Sequence, residues 1–230
     1  MFLKFVEKWK MDSKDYSQRD IKDYGWFTNL FYYFMLYCIV IPLAKLQYTV
    51  SITGRENIDK NKQYLYAGNH TSFLDPPFLA HAVMRKIAFV AKKELFTDKN
   101  PWLRFTVKNA GGIAVDRENP KPSTFKSVLK IAKSDWEIGI FPEGGTFQTH
   151  VLDNVQKGFI MIAKKIKKDI VPVAIKGFDG YAGYALFKKH IDIHVCEPIS
   201  YKLPADEILQ KWISEICKYA DYKSEMDCAS

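Results

Sequence analysis

Tyr64-Leu65-Tyr66-Ala67-Gly68-Asn69-His70-Thr71-Ser72-Phe73-Leu74-Asp75-Pro76-Pro77 changes character twice within fourteen residues. It opens as a short apolar run of strand length and breaks at a glycine. Beyond the polar stretch, Pro76 disfavours the α conformation at Asp75, and Ser72-x-x-Asp75 resembles a helix-capping box. On a straight α-helix the five steps from His70 to Asp75 turn the chain by about 500° and leave the two side chains about 140° apart. A strand, a bent loop and a new helix instead bring Asp75 back toward the imidazole.

That pairing is chemically useful. Neutral histidine is the side chain best suited near neutral pH to take a proton from a weakly acidic hydroxyl. A carboxylate on its other ring nitrogen fixes the tautomer and stabilises the imidazolium that forms. The nucleophile is then the substrate's own hydroxyl, and no serine or cysteine is required. For a bare His-x-x-x-x-Asp match the plain alternative is a loop histidine beside a helix cap.

Outward from this stretch, short apolar runs alternate with longer mixed segments. Tyr48 to Ile52, Tyr64 to Ala67, Ile87 to Ala91, Ile113 to Val115, Ile138 to Phe141, Ile170 to Ile175 and Ile191 to Val195 read as strands. Pro76 to Met84, Ser123 to Lys133, Val155 to Ile166 and Ala205 to Tyr219 read as helices. This interleaving predicts an α/β domain with a central, mostly parallel or mixed sheet flanked by helices. Arg117 follows a strand at its carboxyl end, the usual side for ligands, and its guanidinium fork suits phosphate. An ion pair with Asp116 is its other use. Phe141-Pro142-Glu143-Gly144-Gly145-Thr146 ends a strand in a glycine-rich turn, where backbone amides are open to an anion. His190 and His194 lie in an alternating strand, not on a helix, which argues against a metal site.

Asn69-His70-Thr71-Ser72-Phe73-Leu74-Asp75 resembles the first motif of the glycerolipid acyltransferases, Asn-His-x-Ser-x-x-Asp. Gly111-Gly112-Ile113-Ala114-Val115-Asp116-Arg117 is similar to their second motif, Phe141-Pro142-Glu143-Gly144 to the start of the third, and Val171-Pro172-Val173-Ala174-Ile175 to the fourth. The four stand in family order across roughly residues 48 to 200. The resemblance implies a transfer of a fatty acyl chain from acyl-CoA or acyl-carrier protein to the hydroxyl of lysophosphatidate, giving phosphatidate. It makes His70 the general base and Asp75 its orienting partner. Asn69, Ser72, Gly112, Arg117, Glu143, Gly144 and Lys157 become substrate-binding residues, with Arg117 on the acceptor phosphate. Loop amides would steady the oxyanion. No metal or redox cofactor is implied, because the thioester already carries the activated acyl group. The third motif departs from the family, which continues Glu-Gly-Thr-Arg-Ser. Here Gly145, Thr146 and Phe147 follow, and the arginine is missing, which leaves another lysolipid acceptor open. A non-catalytic lipid-binding protein on the same scaffold is the alternative from a different class.

The rest of the chain points to a membrane. Phe2, Phe5, Val6 and Trp9 share a helical face with lysines elsewhere, a pattern shared by interfacial helices and by helices packed on their own protein. Asp12 to Asp23 reads as a polar connector. Tyr24 to Ala44 carries no charge, and about 20 residues suffice to span a hydrocarbon core. Its tyrosines and Pro42 suit an interfacial position as well, and a helix within the protein core remains open. The resemblance favours half-insertion in one leaflet. We therefore expect membrane-associating helices in residues 1–47, an acyltransferase domain in 48–220 and a polar tail in 221–230, attached to phospholipid at the cytoplasmic face. The net charge of +8 suits anionic partners, but no nucleic-acid-reading motif accompanies it. The four cysteines, Cys38, Cys196, Cys217 and Cys228, form no CxxC pair, which fits a reducing compartment.

Overall fold

The structure, a computed structural model, describes residues 15–116, 119, 122–144, 151–152, 155–178 and 189–223. The amphipathic pattern of Phe2 to Trp9, Arg117, the Gly145-Thr146-Phe147 departure and most of the C-terminal tail lie outside them. Seven strands form one sheet: β1 (Tyr48–Thr53), β2 (Leu65–Gly68), β3 (Ile87–Lys92), β4 (Ile113–Val115), β5 (Glu137–Ile140), β6 (Ile170–Lys176) and β7 (Lys189–Val195). Their spatial order is β1-β7-β6-β2-β5-β3-β4. From β6 to β4 every pairing is parallel, β7 runs antiparallel to β6, and β1 runs parallel to β7. The expected mixed α/β sheet is thus present.

Helices flank the sheet in two groups. Long α1 (Trp26–Gln47) packs with α2 (Asp75–Val83) and α3 (Pro101–Asn109), while α4 (Pro122–Ile131), α5 (Gly158–Ile166) and α6 (Ala205–Ala220) pack together. The central strands β2 and β6 are buried almost throughout, as expected for parallel strands covered on both faces. α3 is absent from the sequence reading, although Asn100-Pro101 is a helix start. The Asn100 side chain accepts hydrogen bonds from the Trp102 and Leu103 amides at 3.0 and 3.3 Å, with Pro101 in the first turn.

α1 is both wall and surface. Tyr24, just before it, and Tyr32, Leu36, Ile41 and Ala44 within it belong to the hydrophobic core. The Tyr32 hydroxyl donates to the Arg85 carbonyl at 2.9 Å and accepts from the Ile87 amide at 3.2 Å, fixing the helix to the start of β3. On the opposite side Trp26, Phe27, Leu30, Phe34, Leu43 and Leu46 are exposed. The step from Leu36 to Ile41 is five residues, which in a straight α-helix would carry Ile41 about 140° off the buried stripe. Residues Phe34–Val40 form a π-helix, whose wider turn keeps both halves facing inward.

The stretch expected to be a polar connector is packed from residue 15 onward. It runs along the free edge of β4, where the Ala114 amide donates to the Tyr16 carbonyl at 3.0 Å. Arg19 is buried and donates to the carbonyls of Gly112 and Lys108 at 2.7 and 2.8 Å, between the rings of Tyr16 and Tyr24. An edge strand that would otherwise present unpaired amides is covered.

Candidate active site

β2 delivers the chain to the middle of the sheet and stops at Gly68. The next residue, Asn69, is fully buried and stitches this loop to β6. Its amide donates to the Ile175 carbonyl at 2.8 Å, and its oxygen accepts from the Ile175 N–H at 2.7 Å. Both ends of that side chain are therefore engaged with backbone. Beneath the loop, the Trp212 indole of α6 donates to the Ala67 carbonyl at 2.9 Å.

His70 follows, and its Nδ1 lies 2.8 Å from Asp75 Oδ2. Asp75 is fully buried at the first turn of α2. The same oxygen accepts the N–H groups of Thr71 and Ser72, both at 2.7 Å. One half of the anticipated capping box is thus present, Asp75 on the Ser72 amide. The Ser72 hydroxyl instead accepts from the Leu74 N–H at 3.2 Å. Burial raises the Asp75 carboxyl above the ordinary carboxylate value, opposed by its bonds to His70 and to the two amides. Those donors favour the ionised form and hold the proton of the pair on Nδ1. Nε2 is left as the acceptor, and among the described residues nothing in the protein bonds to it.

A second carboxylate braces the same loop. Glu143, in the turn after β5, accepts the His70 backbone N–H at 2.8 Å through Oε1. It is 7% exposed, and burial, with the Asp75 charge adding to it, pushes its carboxyl up to about 7. Gly144 closes the turn at φ 74°, a left-handed conformation that favours glycine, and its N–H donates to the Phe141 carbonyl at 3.1 Å. Phe141 stacks on the His70 ring, with centroids 4.3 Å apart and planes 22° apart, and on Phe89 behind it at 5.7 Å. Phe89 lies flat across β5 only because residue 139 is glycine, where a Cβ would come within 2.5 Å of that ring.

The fold therefore gathers His70, Asp75, Asn69, Ser72, Glu143 and Gly144 around one loop. It does not gather the others. Gly112 immediately precedes edge strand β4, three strands away from β2, and its carbonyl is taken by Arg19. Lys157, exposed before α5, bonds Asp206 of α6 at 2.9 Å. Arg117 lies outside the described residues; its neighbour Asp116 is paired with Lys93 at 2.6 Å. The amides of residues 70, 71 and 72 are all taken by carboxylates, so none of these three is free to steady an oxyanion. Phe141 carried no functional signal in the sequence beyond its place beside Pro142-Glu143. The His190 and His194 side chains bond Ser51 and Thr53 of β1 at 3.0 and 2.8 Å.

An imidazole oriented by a buried carboxylate and open at Nε2, seated beyond a central strand of an α/β sheet, equips an enzyme to deprotonate its substrate's own hydroxyl. The comparisons give that class its name. The chain belongs to the acyltransferase family, whose model matches residues 49–176, more than half of its length. It is 32% identical over 148 residues to a 1-acyl-sn-glycerol-3-phosphate acyltransferase of Bacillus subtilis, covering 64% of this chain and 71% of that protein. A Streptococcus pneumoniae protein of the same name is 29% identical over 176 residues, covering 74% of this chain and 63% of the relative. The fold is also that of the crystal structure of the 1-acyl-sn-glycerophosphate acyltransferase PlsC from Thermotoga maritima. The TM-score is 0.59 at 22% identity, with 83% of this chain and 76% of that one covered.

Proposed function

We propose that this enzyme moves a fatty acyl chain from a thioester, acyl-CoA or acyl-carrier protein, to the free hydroxyl of lysophosphatidate, giving phosphatidate at the cytoplasmic face of a membrane. The observation that carries the chemistry is the 2.8 Å contact between His70 Nδ1 and Asp75 Oδ2. Nε2 takes the hydroxyl proton as the oxygen attacks the thioester carbonyl. The tetrahedral intermediate collapses with loss of the C–S bond, and the imidazolium returns the proton to the departing thiolate. Asp75 stabilises the imidazolium in between. The names of the curated relatives support the acceptor, and Arg117 is the residue assigned to its phosphate. The outward face of α1, a 22-residue helix in which an 18-residue stretch has a mean hydropathy of 1.6, supports attachment to lipid.

Gly145, Thr146 and Phe147 in place of the family's Thr-Arg-Ser favour a second reading, the same chemistry on a different lysolipid. Mass spectrometry of products distinguishes them when the purified protein is offered both donors and several lysolipids. Phosphatidate as the main product supports the first reading. Preference for an acceptor without a terminal phosphate overturns it, and failure to acylate any lysolipid overturns both.

A further inference from the structure

We infer that Glu143 is a positioning residue, which acts on the reaction through the backbone of His70 and not by contact with the acceptor. Three groups hold the imidazole, each removing a different freedom. Asp75 holds Nδ1 at 2.8 Å and sets the rotation of the ring about its bond to the chain. Phe141 lies against the ring face, 4.3 Å between centroids, and sets its plane. Glu143 holds the main-chain N–H of the same residue at 2.8 Å and sets where the ring begins. Phe141 and Glu143 belong to one turn, closed by the Gly144 N–H on the Phe141 carbonyl at 3.1 Å and tied to the start of α5 by the Gln156 N–H on the Pro142 carbonyl at 2.8 Å. The turn after β5 is thus a clamp on the loop after β2.

The accessibility of Glu143 decides against direct contact. One oxygen is engaged by His70. The other, Oε2, has almost no accessible surface and no hydrogen-bond partner among the described residues. An acceptor phosphate would also be repelled by this carboxylate when ionised and by Asp75 beside it. Displacing a general base by about 1 Å can cost about 10²-fold in rate, so the brace has a kinetic consequence without touching substrate.

The proposal rests on His70 as the base, and three Glu143 variants separate it from an acceptor-binding role. Glu143→Gln removes the charge, but its amide oxygen still reaches the His70 N–H. Glu143→Asp keeps the charge but is one methylene too short. Glu143→Ala removes both. The full-length protein is assayed for kcat, for acceptor KM and for slow thioester hydrolysis without acceptor, with circular dichroism to confirm folding. We expect Gln to retain kcat within about 3-fold, with Asp and Ala reduced about 10-fold or more. Acceptor KM should change by less than about 3-fold, and hydrolysis should fall in parallel with kcat because water needs the same base. Should Ala fail to fold, the order of Gln above Asp still decides. Asp equal to or above Gln, or a raised acceptor KM with unchanged hydrolysis, overturns the proposal. His70→Ala, measured alongside, separates the two failures: unchanged hydrolysis there refutes the base itself, whatever the order of the Glu143 variants.

Discussion

Glu143→Gln should also flatten the pH dependence of stability, by an amount that follows from burial. The carboxyl moves from an ordinary 4.5 to about 7 on folding, chiefly because burial penalises its charge, with the Asp75 charge adding to this and the His70 amide opposing it. A group whose folded value lies above its unfolded value binds its proton more tightly in the native state. The native state then loses stability as pH rises between the two values, and the loss is complete above the higher. From 4.5 to about 7 this amounts to about 3 kcal/mol at most, beginning near pH 4.5 and complete above about pH 7. Glutamine cannot titrate and keeps the bond to His70. Urea unfolding of the detergent-solubilised proteins at pH 5 and pH 8 should therefore show wild type losing about 2 to 3 kcal/mol relative to Glu143→Gln. Glu137, also raised by burial, is present in both proteins and drops out of the difference. Parallel profiles for the two proteins would refute the reasoning.

Three further outcomes are expected. His70→Ala should leave a folded protein with turnover lowered by at least about 10²-fold, and Asp75→Asn should also be damaging, because an amide does not stabilise imidazolium as a carboxylate does. Near-normal steady-state turnover of a well-folded His70→Ala protein ends the mechanism. Arg117→Lys keeps charge but loses the guanidinium fork, so kcat/KM for lysophosphatidate should fall by about 10- to 150-fold, with Arg117→Ala worse and thioester hydrolysis spared; normal use of lysophosphatidate by both variants removes the phosphate assignment. Leu30→Lys with Leu43→Lys, on the exposed side of α1, should release protein from sedimented vesicles that a high-salt wash leaves bound, since salt screens charge and leaves hydrophobic burial intact. Elution of the unaltered protein by salt alone counts against insertion.

All seven strands were legible as apolar runs bounded by turn residues. Their order was not, because β1 beside β7 and β2 between β6 and β5 are pairings between distant segments that no local pattern encodes. The His70–Asp75 contact was legible because the bend from strand to helix lies within a few residues. The role of Asn69 was not, since Ile175, which it bonds, is 106 residues away. Glu143 was visible as a motif residue but not as a brace, for the same reason. α3 escaped because it is only nine residues long and of mixed composition, with none of them fully buried. The stretch near Arg19 read as polar because its charge is satisfied by two distant carbonyls, Lys108 at the end of α3 and Gly112 just before β4, that only the folded chain supplies.

The two-sidedness of α1 bears on how a soluble form of this enzyme would have to be made. Cutting the chain before Tyr48 removes the outward apolar face, but it also removes Tyr24, Tyr32, Leu36, Ile41 and Ala44 from the core and uncovers Trp136, against whose ring Tyr24 and Tyr32 pack at 4.9 and 5.0 Å. Such a truncate exchanges one exposed greasy surface for another and should aggregate. Repainting the helix in place, with polar residues at Trp26, Phe27, Leu30, Phe34, Leu43 and Leu46 and the inner stripe untouched, leaves the catalytic domain its wall.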